Sequence, residues 1–231
     1  MEPTGTGFGD LTLRAFSDEL ASAAPVPGGG SASAVTASLG ASLVAMVAQL
    51  SMKLPYMQHA ELHEVAEAAG RELAARFLRL ADDDAAAYAA YADAVKLPRS
   101  TDEERAARDA AKRDAARGAA EVPLRCVEGC YEIVQAAESL AGRCNMNASS
   151  DLSVAAILAE AAARGAAANV RVNLPAVGDE AWAARTEERV VRLLDRIGRT
   201  ATDCRVMVES GAIREPLTSL ASMRAAGVSP G

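Results

Sequence analysis

Residues 25–52 read PVPGGGSASAVTASLGASLVAMVAQLSM, and this stretch decides the fold. Two prolines and three glycines cannot start a helix stably, whereas Ser31 is a good N-cap, so residues 25–31 are predicted to be a loop that leads into a helix. Residues 32–52 carry no charge, and small side chains lie on every face of the predicted helix. We therefore expect this helix to be buried on all sides and to form the central rod of a helical protein. Its N-terminus, where free backbone N–H groups follow glycines, is the first candidate ligand site.

The composition favours an all-α fold. Half of the 231 residues are apolar but only 3% are aromatic, and alanine is the most frequent residue. Strands draw on aromatic and β-branched residues, whereas alanine has the highest helix propensity. A chain of this length can bury a substantial core as one domain. The net charge of −7 argues against non-specific binding of nucleic acid, because no basic excess is available to neutralise phosphates.

The uncharged run is long enough to cross a bilayer, and we weighed that alternative. Its serine, threonine and glutamine residues, together with the weak insertion tendency of alanine, favour a buried helix of a protein with no membrane span. The N-terminus has no basic region followed by an apolar core, so no secretory signal is predicted. No zinc-site spacing is present, which predicts free thiols in a reducing cytoplasm and no metal site. The residues considered for zinc were Cys126, Cys130, Cys144, Cys204, His59 and His63.

The remaining apolar periodicity predicts further helices and no convincing strand. We expect a flexible leader over residues 1–10, a single helical domain over 11–210 and a tail over 211–231. Pro123 is expected to kink or divide one helix, and Leu174-Pro175 with Gly178 is expected to end another. Ser100 or Thr101, followed by Glu103 and Glu104, predicts a capped helix start. The helices are predicted to span residues 11–20, 32–52, 57–95, 102–140, 152–172 and 180–210.

Four groups of polar residues interrupt the apolar pattern, and burying an unpartnered polar group costs about 1–3 kcal/mol. Asp84 lies one helical turn from Tyr88 and shares its helix face with apolar residues, so we expect it to point inward. For Asp82 or Asp83, a solvent-exposed position in an acidic surface patch is as good an explanation as an inward-pointing carboxylate. The other three groups are Lys53 with Tyr56, the loop 145–151, and the polar residues of 169–173. Ser150 or Asp151 is expected to cap the next helix, but a cap does not require Asn145 and Asn147 as well.

The order of these features resembles one known family. PGGGS at 27–31, DDDA at 82–85, LP at 97–98, EVPL at 121–124 and NMNASSD at 145–151 follow one another as in the cyclodeaminase/cyclohydrolase family of one-carbon folate metabolism. The similarity covers residues 11–210, with Met146 where the family commonly has proline. It implies an all-α, up-and-down bundle of long helices around the alanine-rich helix. It also implies a tetrahydrofolate substrate, no separate cofactor and a homodimer.

Members of this family are formimidoyltetrahydrofolate cyclodeaminases, usually fused to a transferase domain, or stand-alone methenyltetrahydrofolate cyclohydrolases. The chain contains no transferase domain, so the resemblance favours a cyclohydrolase that converts 5,10-methenyltetrahydrofolate to 10-formyltetrahydrofolate. A cyclodeaminase that releases ammonia is the alternative. A non-catalytic folate-binding protein or helical scaffold is a second alternative, because the apolar periodicity of the predicted helices is equally compatible with it.

Both reactions require proton transfer beside a cationic carbon, for which a carboxylate is suited. We expect Asp84 to transfer the proton, with Asp151 as the second candidate and Lys53 polarising the developing oxygen. The glycine loop is expected to form one wall of a pterin pocket, asparagines to contact the pterin edges, and arginines to bind the glutamate carboxylates of folate. The expected substrate-binding residues are Gly28, Gly29, Gly30, Ser31, Tyr56, Tyr88, Asn147, Arg164, Asn169 and Arg171.

Overall fold

The computed structural model describes residues 7–217, and helices account for most of them. Within this range no strand occurs, so the prediction of an all-α fold is confirmed. The α-helices are α1 (Leu13–Leu20), α2 (Gly29–Ser51), α3 (Ala60–Lys96), α4 (Asp102–Leu140), α5 (Ser149–Val177) and α6 (Glu180–Ser210). Three short 3-10 helices lie at Phe8–Asp10, Tyr56–His59 and Met146–Ala148.

The alanine-rich helix α2 differs from the prediction in two ways. It begins at Gly29 with Gly28 as its N-cap, so Ser31 lies inside the first turn and caps nothing. It is also not buried on all sides, because Leu39 and Leu50 belong to an exposed stripe. The helix therefore lies at the edge of the helical assembly, with its apolar character divided between a buried and an exposed face.

Small residues bring α3 and α5 close to α2. A Cβ on Gly70 of α3 would lie 2.8 Å from the backbone oxygen of Ala41, and one on Gly40 would lie 3.1 Å from the backbone oxygen of Ala155 in α5. Both neighbours run antiparallel to α2. The Ser38 hydroxyl donates to the Ala74 backbone oxygen of α3, while Ala41 and Ala45, farther along α2, lie against the earlier residue Gly70. On α5, Ser33 lies against Gly165, and the later α2 residue Gly40 lies against the earlier residue Ala155. Helices can approach this closely only where side chains are absent or small.

Helix α4 packs against α3, α5 and α6. Thr101 and Glu104 form the predicted capping box: the Glu104 N–H donates to the Thr101 hydroxyl and the Glu104 carboxylate accepts from the Thr101 N–H. Pro123 lies inside α4 without dividing it, so of the two expected outcomes, a kink or a division, the division does not occur. The C-terminal half of α4 is much more buried than its charged N-terminal half, as its composition predicted.

Helix α5 is longer at both ends than predicted. It begins at Ser149 with Ala148 as N-cap, so neither Ser150 nor Asp151 is the cap. It continues through Pro175 and ends at Val177, and its C-cap Gly178 has a φ of 68°. A left-handed residue at this position favours glycine, which explains why the helix stops there and not at the proline.

The segments that flank the helices are anchored where the structure describes them. Residues 8–10 were predicted as part of a flexible leader but form a 3-10 helix, and the Phe8 N–H donates to the Asp82 carboxylate over 2.8 Å. After α6, Arg143 donates to the Glu215 backbone oxygen over 2.7 Å. The rest of the predicted leader and of the predicted tail, residues 1–6 and 218–231, lies outside the described residues.

Candidate functional site

The Asp84 carboxylate lies against the N-terminus of α2. The Ser31 hydroxyl is 3.1 Å from both the Asp84 Oδ2 and the Ala81 backbone oxygen, and it donates toward each. A Cβ on Gly30 would lie 2.6 Å from the same Oδ2 and closer still to Oδ1. Glycine at position 30 is therefore required for the carboxylate to lie against the helix backbone. An anion in this position is favoured by the positive end of the helix dipole.

Burial dominates the electrostatics of Asp84. Loss of solvation raises the pKa of its carboxyl group above the ordinary value of 3.8, while hydrogen bonds from the Ser31 hydroxyl and backbone N–H act in the opposite direction. A carboxyl group with a raised pKa exchanges protons more readily near neutral pH than an exposed aspartate does. This is the property expected of a general acid or base.

The three consecutive aspartates make three different contacts. Asp82 accepts from the Phe8 N–H, and Asp83 lies 3.5 Å from Arg125 of α4. Only Asp84 contacts the glycine loop. The expectation that Asp84 points inward is thus met, and the two neighbouring carboxylates have structural partners of their own.

Helix α5 forms the other side of this region. The side-chain nitrogen of Asn169 lies 3.5 Å from the position that a Cβ on Gly29 would take, and it donates to the Gly165 backbone oxygen over 3.0 Å. Gly165 in turn leaves room for the Ser33 hydroxyl, which donates to the Gly29 backbone oxygen over 2.7 Å. We call Gly29, Gly30, Ser31, Asp84 and Asn169 the acid end of α2.

A second polar cluster surrounds the C-terminus of α2. The Asn145 N–H donates to the Ser51 hydroxyl over 2.8 Å, and the Asn145 side chain lies 3.4 Å from the Leu50 backbone oxygen. The Tyr56 hydroxyl lies 3.5 Å from the Asn145 Oδ1. Lys53 follows α2 directly and is exposed. We call Ser51, Lys53, Tyr56 and Asn145 the amine end of α2.

The two ends are far apart within one chain. Ser31 and Ser51 are twenty residues apart on one α-helix, which corresponds to about 30 Å at ~1.5 Å per residue. The predicted site residues therefore do not come together in a single chain. Gly28 to Ser31, Asp84 and Asn169 lie at the acid end, with Tyr88 one turn beyond Asp84, whereas Lys53, Tyr56, Asn147 and Asp151 lie at or near the amine end.

The two arginines expected to bind folate carboxylates both make ion pairs on the surface. Arg171 donates to both carboxylate oxygens of Glu187 in α6. Arg164 pairs with Glu160 on its own helix over 2.8 Å. A substrate carboxylate would have to compete with these glutamates, so neither arginine is a vacant anion site, and their binding role stays a prediction.

Comparison with known proteins identifies the family of the chain. The family model described as formiminotransferase-cyclodeaminase matches residues 12–192, which is most of the chain.

The chain belongs to the formiminotransferase-cyclodeaminase family.

Two relatives represent the two kinds of family member. The chain is 39% identical over 209 residues to the methenyltetrahydrofolate cyclohydrolase of Methylorubrum extorquens, covering 90% of this chain and 94% of that protein. It is 37% identical over 190 residues to the formimidoyltransferase-cyclodeaminase of Rattus norvegicus, covering 80% of this chain but only 34% of that protein. Among solved structures, a formiminotetrahydrofolate cyclodeaminase from Thermotoga maritima superposes with a TM-score of 0.79 at 27% identity. The superposition covers 87% of this chain and 98% of that one.

Sequence reasoning missed a buried histidine pair beside the amine end. His59 and His63 are almost fully buried, and the Nε2 of His63 lies 2.9 Å from the Arg143 backbone oxygen. The Nδ1 atom of each ring has no hydrogen-bond partner within the described residues. Burial lowers the pKa of both imidazoles. The sequence signal was their spacing of four residues, which puts both on one helix face, but they were considered only as zinc ligands.

A groove of 710 Å³ between α4 and α6 was also not predicted. Its lining includes Glu121, Arg125, Arg185 and Trp182 but none of the predicted site residues. Arg125 also contacts Asp83, which precedes Asp84 in α3 but lies outside the acid end. Of its lining residues, Glu121 and Leu124 had appeared in the sequence analysis, as the two ends of the EVPL motif.

Among the residues that the structure describes, one helix is long and apolar enough to be considered as a membrane span. It is α2, with a mean hydropathy of 1.6, and 56% of its most apolar window is buried against the rest of the protein. Packing against α3 and α5 accounts for that buried part.

Proposed function

We propose that this chain is a methenyltetrahydrofolate cyclohydrolase, which hydrolyses 5,10-methenyltetrahydrofolate to 10-formyltetrahydrofolate. The observation that carries the proposal is the half-buried Asp84 carboxylate, which lies against the glycine-rich N-terminus of α2 and accepts from the Ser31 hydroxyl. It provides a proton-transfer group in a chain that aligns with a relative of this activity over 94% of the relative's length.

Asp84 performs two proton transfers in the proposed reaction. As a carboxylate it removes a proton from the water that adds to the amidinium carbon between the two folate nitrogens, which gives a neutral tetrahedral adduct. As a carboxylic acid it returns that proton to one nitrogen while the bond from this nitrogen to the carbon breaks. The product is a formyl group on the other nitrogen, and one proton is released overall when the carbinol hydroxyl becomes the carbonyl. The raised pKa of Asp84 suits both steps, because the group must gain and lose a proton in each cycle.

The glycines beside Asp84 suit a flat substrate. Backbone without side chains at Gly28 and Gly29 allows the pterin ring to approach the helix end closely. The Asn169 amide is in position to hydrogen-bond a pterin edge, and Tyr88, which is largely exposed, is available to cover the ring. Asp151 and Asn147 open α5 at the amine end, about 30 Å from Asp84 at ~1.5 Å per residue of α2, so in our proposal they reach this substrate only from the second copy of the homodimer.

A cyclodeaminase is the second candidate, favoured by the solved structure of a protein named for that activity, which matches 87% of this chain. There a folate nitrogen attacks a formimidoyl carbon and ammonia leaves. The same carboxyl group would supply the proton that the departing ammonia requires. The chemistry therefore differs in the leaving group and not in the residue that transfers the proton.

The proposal includes an up-and-down bundle of helices that works as a homodimer in the cytoplasm, with no metal or separate cofactor. Antiparallel contacts between α2 and each of its neighbours support the bundle. All four cysteines are buried as free thiols, which suits a reducing compartment.

The test uses the purified full-length protein and two substrates. Loss of methenyltetrahydrofolate absorbance is followed against the rate without protein, and ammonia release is measured separately with 5-formimidoyltetrahydrofolate. We expect enzyme-dependent hydrolysis of the methenyl compound. Ammonia release alone would favour the cyclodeaminase. Folate binding without either reaction would leave the non-catalytic alternative.

A further inference from the structure

The groove between α4 and α6 has a lining that the proposed reaction does not explain. Its volume is 710 Å³, and it contains none of the predicted site residues. We propose that it binds a free α-amino acid with an apolar or aromatic side chain, whose carboxylate contacts Arg185 and whose ammonium group contacts Glu121. This inference goes beyond the proposed function, because it requires neither a folate nor proton transfer by Asp84.

The helices α4 and α6 run parallel, which puts their lining residues at matching heights. Arg117 of α4 contacts Trp182 of α6, and farther along both helices Glu128 contacts Arg189. Glu121 and Arg185 lie between these two contacts, one on each helix, and both line the groove. A small ligand at this height therefore meets both side chains.

Glu121 and Arg185 are charged lining residues without an ionic partner in the described range 7–217. By contrast, Glu128 pairs with Arg189 over 2.8 Å, and Arg125 pairs with an aspartate of α3. A carboxylate and a guanidinium that share a groove without contacting each other are together complementary to a zwitterion. A simple anion would leave Glu121 unpaired, and a simple cation would leave Arg185 unpaired.

A buried hydroxyl at the floor of the groove also lacks a partner. Thr186 is only 5% exposed and lines the groove. The Thr202 hydroxyl, farther along α6, donates to the backbone oxygen four residues earlier, but the Thr186 hydroxyl makes no hydrogen bond within the part of the chain that the structure describes. It is not one of the fully enclosed polar atoms, so it is open to the groove. Because buried polar groups are almost always hydrogen-bonded, this hydroxyl points to a polar ligand group above it.

The apolar part of the lining suits a side chain of the ligand. Leu124 lies at the floor and is 8% exposed, and Trp182 forms part of the α6 wall. Arg117 lies 4.7 Å from the centre of the indole ring and donates to Asp179 over 3.0 Å, which holds the ring in place. One face of the indole is thus covered, and an apolar or aromatic ligand group packs against the remaining face or edge.

An α-amino acid is the smallest zwitterion with all three parts. Its ammonium and carboxylate groups are bonded to the same carbon, which agrees with the matching heights of Glu121 and Arg185. A peptide separates its terminal charges by at least one further residue and fits this arrangement less well. The groove volume lies in the range of small-molecule sites, about 300–1,000 Å³, so it accommodates the largest natural side chains.

The first experiment uses the fluorescence of the groove itself. Trp182 is the only tryptophan of the chain, so its emission reports on this region when the ligand is L-phenylalanine and only the indole is excited. We expect a saturable change with a dissociation constant on the order of 1 mM, as for a ligand of about 12 non-hydrogen atoms at ordinary efficiency. 3-Phenylpropionate, which lacks the ammonium group, and phenethylamine, which lacks the carboxylate, should each bind at least about 10-fold more weakly. No saturable change in fluorescence or in titration calorimetry with L-phenylalanine, or equal affinity for either analogue, would overturn the inference.

The second experiment assigns the two charges by titration calorimetry. Both side chains are exposed, so Glu121→Gln and Arg185→Gln should fold, as circular dichroism will verify. Each should weaken L-phenylalanine at least about 10-fold. Glu121→Gln should no longer distinguish L-phenylalanine from 3-phenylpropionate, and Arg185→Gln should no longer distinguish it from phenethylamine. Arg192→Gln is the matched control, because Arg192 is an exposed arginine of α6 that pairs with Glu188 outside the groove, and it should bind like the wild type. Wild-type affinity in either groove variant would contradict the inference.

The third experiment separates this site from the proposed active site. An excess of 5-formyltetrahydrofolate should leave the dissociation constant of L-phenylalanine unchanged within about twofold, because the two ligands occupy different places. Displacement of L-phenylalanine by the folate would show that the groove belongs to the folate site and would overturn the inference. Binding of L-phenylalanine by a protein that does not hydrolyse methenyltetrahydrofolate would contradict the proposed function alone. Hydrolysis without L-phenylalanine binding would contradict this inference alone.

Discussion

Replacing Gly30 by alanine tests whether the position of the Asp84 carboxylate matters for catalysis. The added Cβ would lie 2.6 Å from Oδ2, whereas carbon and oxygen atoms in contact are about 3.4 Å apart. The carboxylate must therefore retreat by roughly 1 Å, and its hydrogen bond to the Ser31 hydroxyl, now 3.1 Å long, is lost. Misplacement of a reacting group by ~1 Å costs on the order of 10²-fold in rate.

The effect on stability should be smaller than the effect on rate. Overpacking costs about 1–3 kcal/mol, and replacing a helical glycine by alanine returns about 0.5–1 kcal/mol. We therefore expect Gly30→Ala to lower kcat/KM for methenyltetrahydrofolate about 100-fold and the free energy of unfolding by no more than about 2.5 kcal/mol. The assays are hydrolysis followed by absorbance and urea unfolding followed by circular dichroism.

Gly118→Ala is the matched control. Gly118 also lies inside a helix, α4, but nothing lies within 4 Å of the position that its Cβ would take. This variant should keep full activity, and its free energy of unfolding should be about 0.5–1 kcal/mol higher than that of the wild type. Full activity in Gly30→Ala would refute the reasoning, as would a loss of activity matched by loss of the folded protein.

Three further predictions concern pH and packing. Because burial raises the pKa of Asp84, the acid limb of kcat/KM should lie above pH 3.8; a limb at or below this value would contradict the role of Asp84 as base. Because burial lowers the pKa of His59 and His63 in the folded state, the unfolded state binds more protons below their ordinary value of 6.5, so the free energy of unfolding should fall as the pH drops below 6.5, and His63→Gln should weaken this dependence in urea titrations. Gly70→Ala should destabilise the protein by about 1–3 kcal/mol, since its Cβ would lie 2.8 Å from α2 backbone that cannot move aside; a change near zero in thermal unfolding would show that α2 and α3 can separate.

Helix boundaries set by local chemistry were predictable from the sequence. The capping box of Thr101 and Glu104 and the whole of α6 follow from residues that lie within a few positions of each other. Helix boundaries that depend on tertiary contacts were not predictable from the sequence. Serine is a favoured N-cap residue, but the Ser31 hydroxyl donates to partners on α3 and caps no helix. Pro175 does not end α5 but lies inside its last turn.

The candidate site was predicted residue by residue but not in its arrangement. Asp84 was correctly expected to point inward, because its helical face is otherwise apolar. Grouping Lys53 with the glycine loop overlooked the length of the helix between them, although the rise of ~1.5 Å per residue already implies that they are far apart. The order of motifs along a chain indicates which residues matter. It does not show which of them meet within one copy.

The most direct test of the account is kcat/KM for methenyltetrahydrofolate hydrolysis by Asp84→Asn, compared with Asp83→Asn. Asparagine at position 84 can still accept from the Ser31 hydroxyl but cannot take up a proton, while Asp83 contacts only the surface residue Arg125. We predict a loss of at least about 100-fold for Asp84→Asn and near wild-type activity for Asp83→Asn, with both proteins folded. Undiminished hydrolysis by folded Asp84→Asn would contradict the central claim that this carboxyl group transfers the proton.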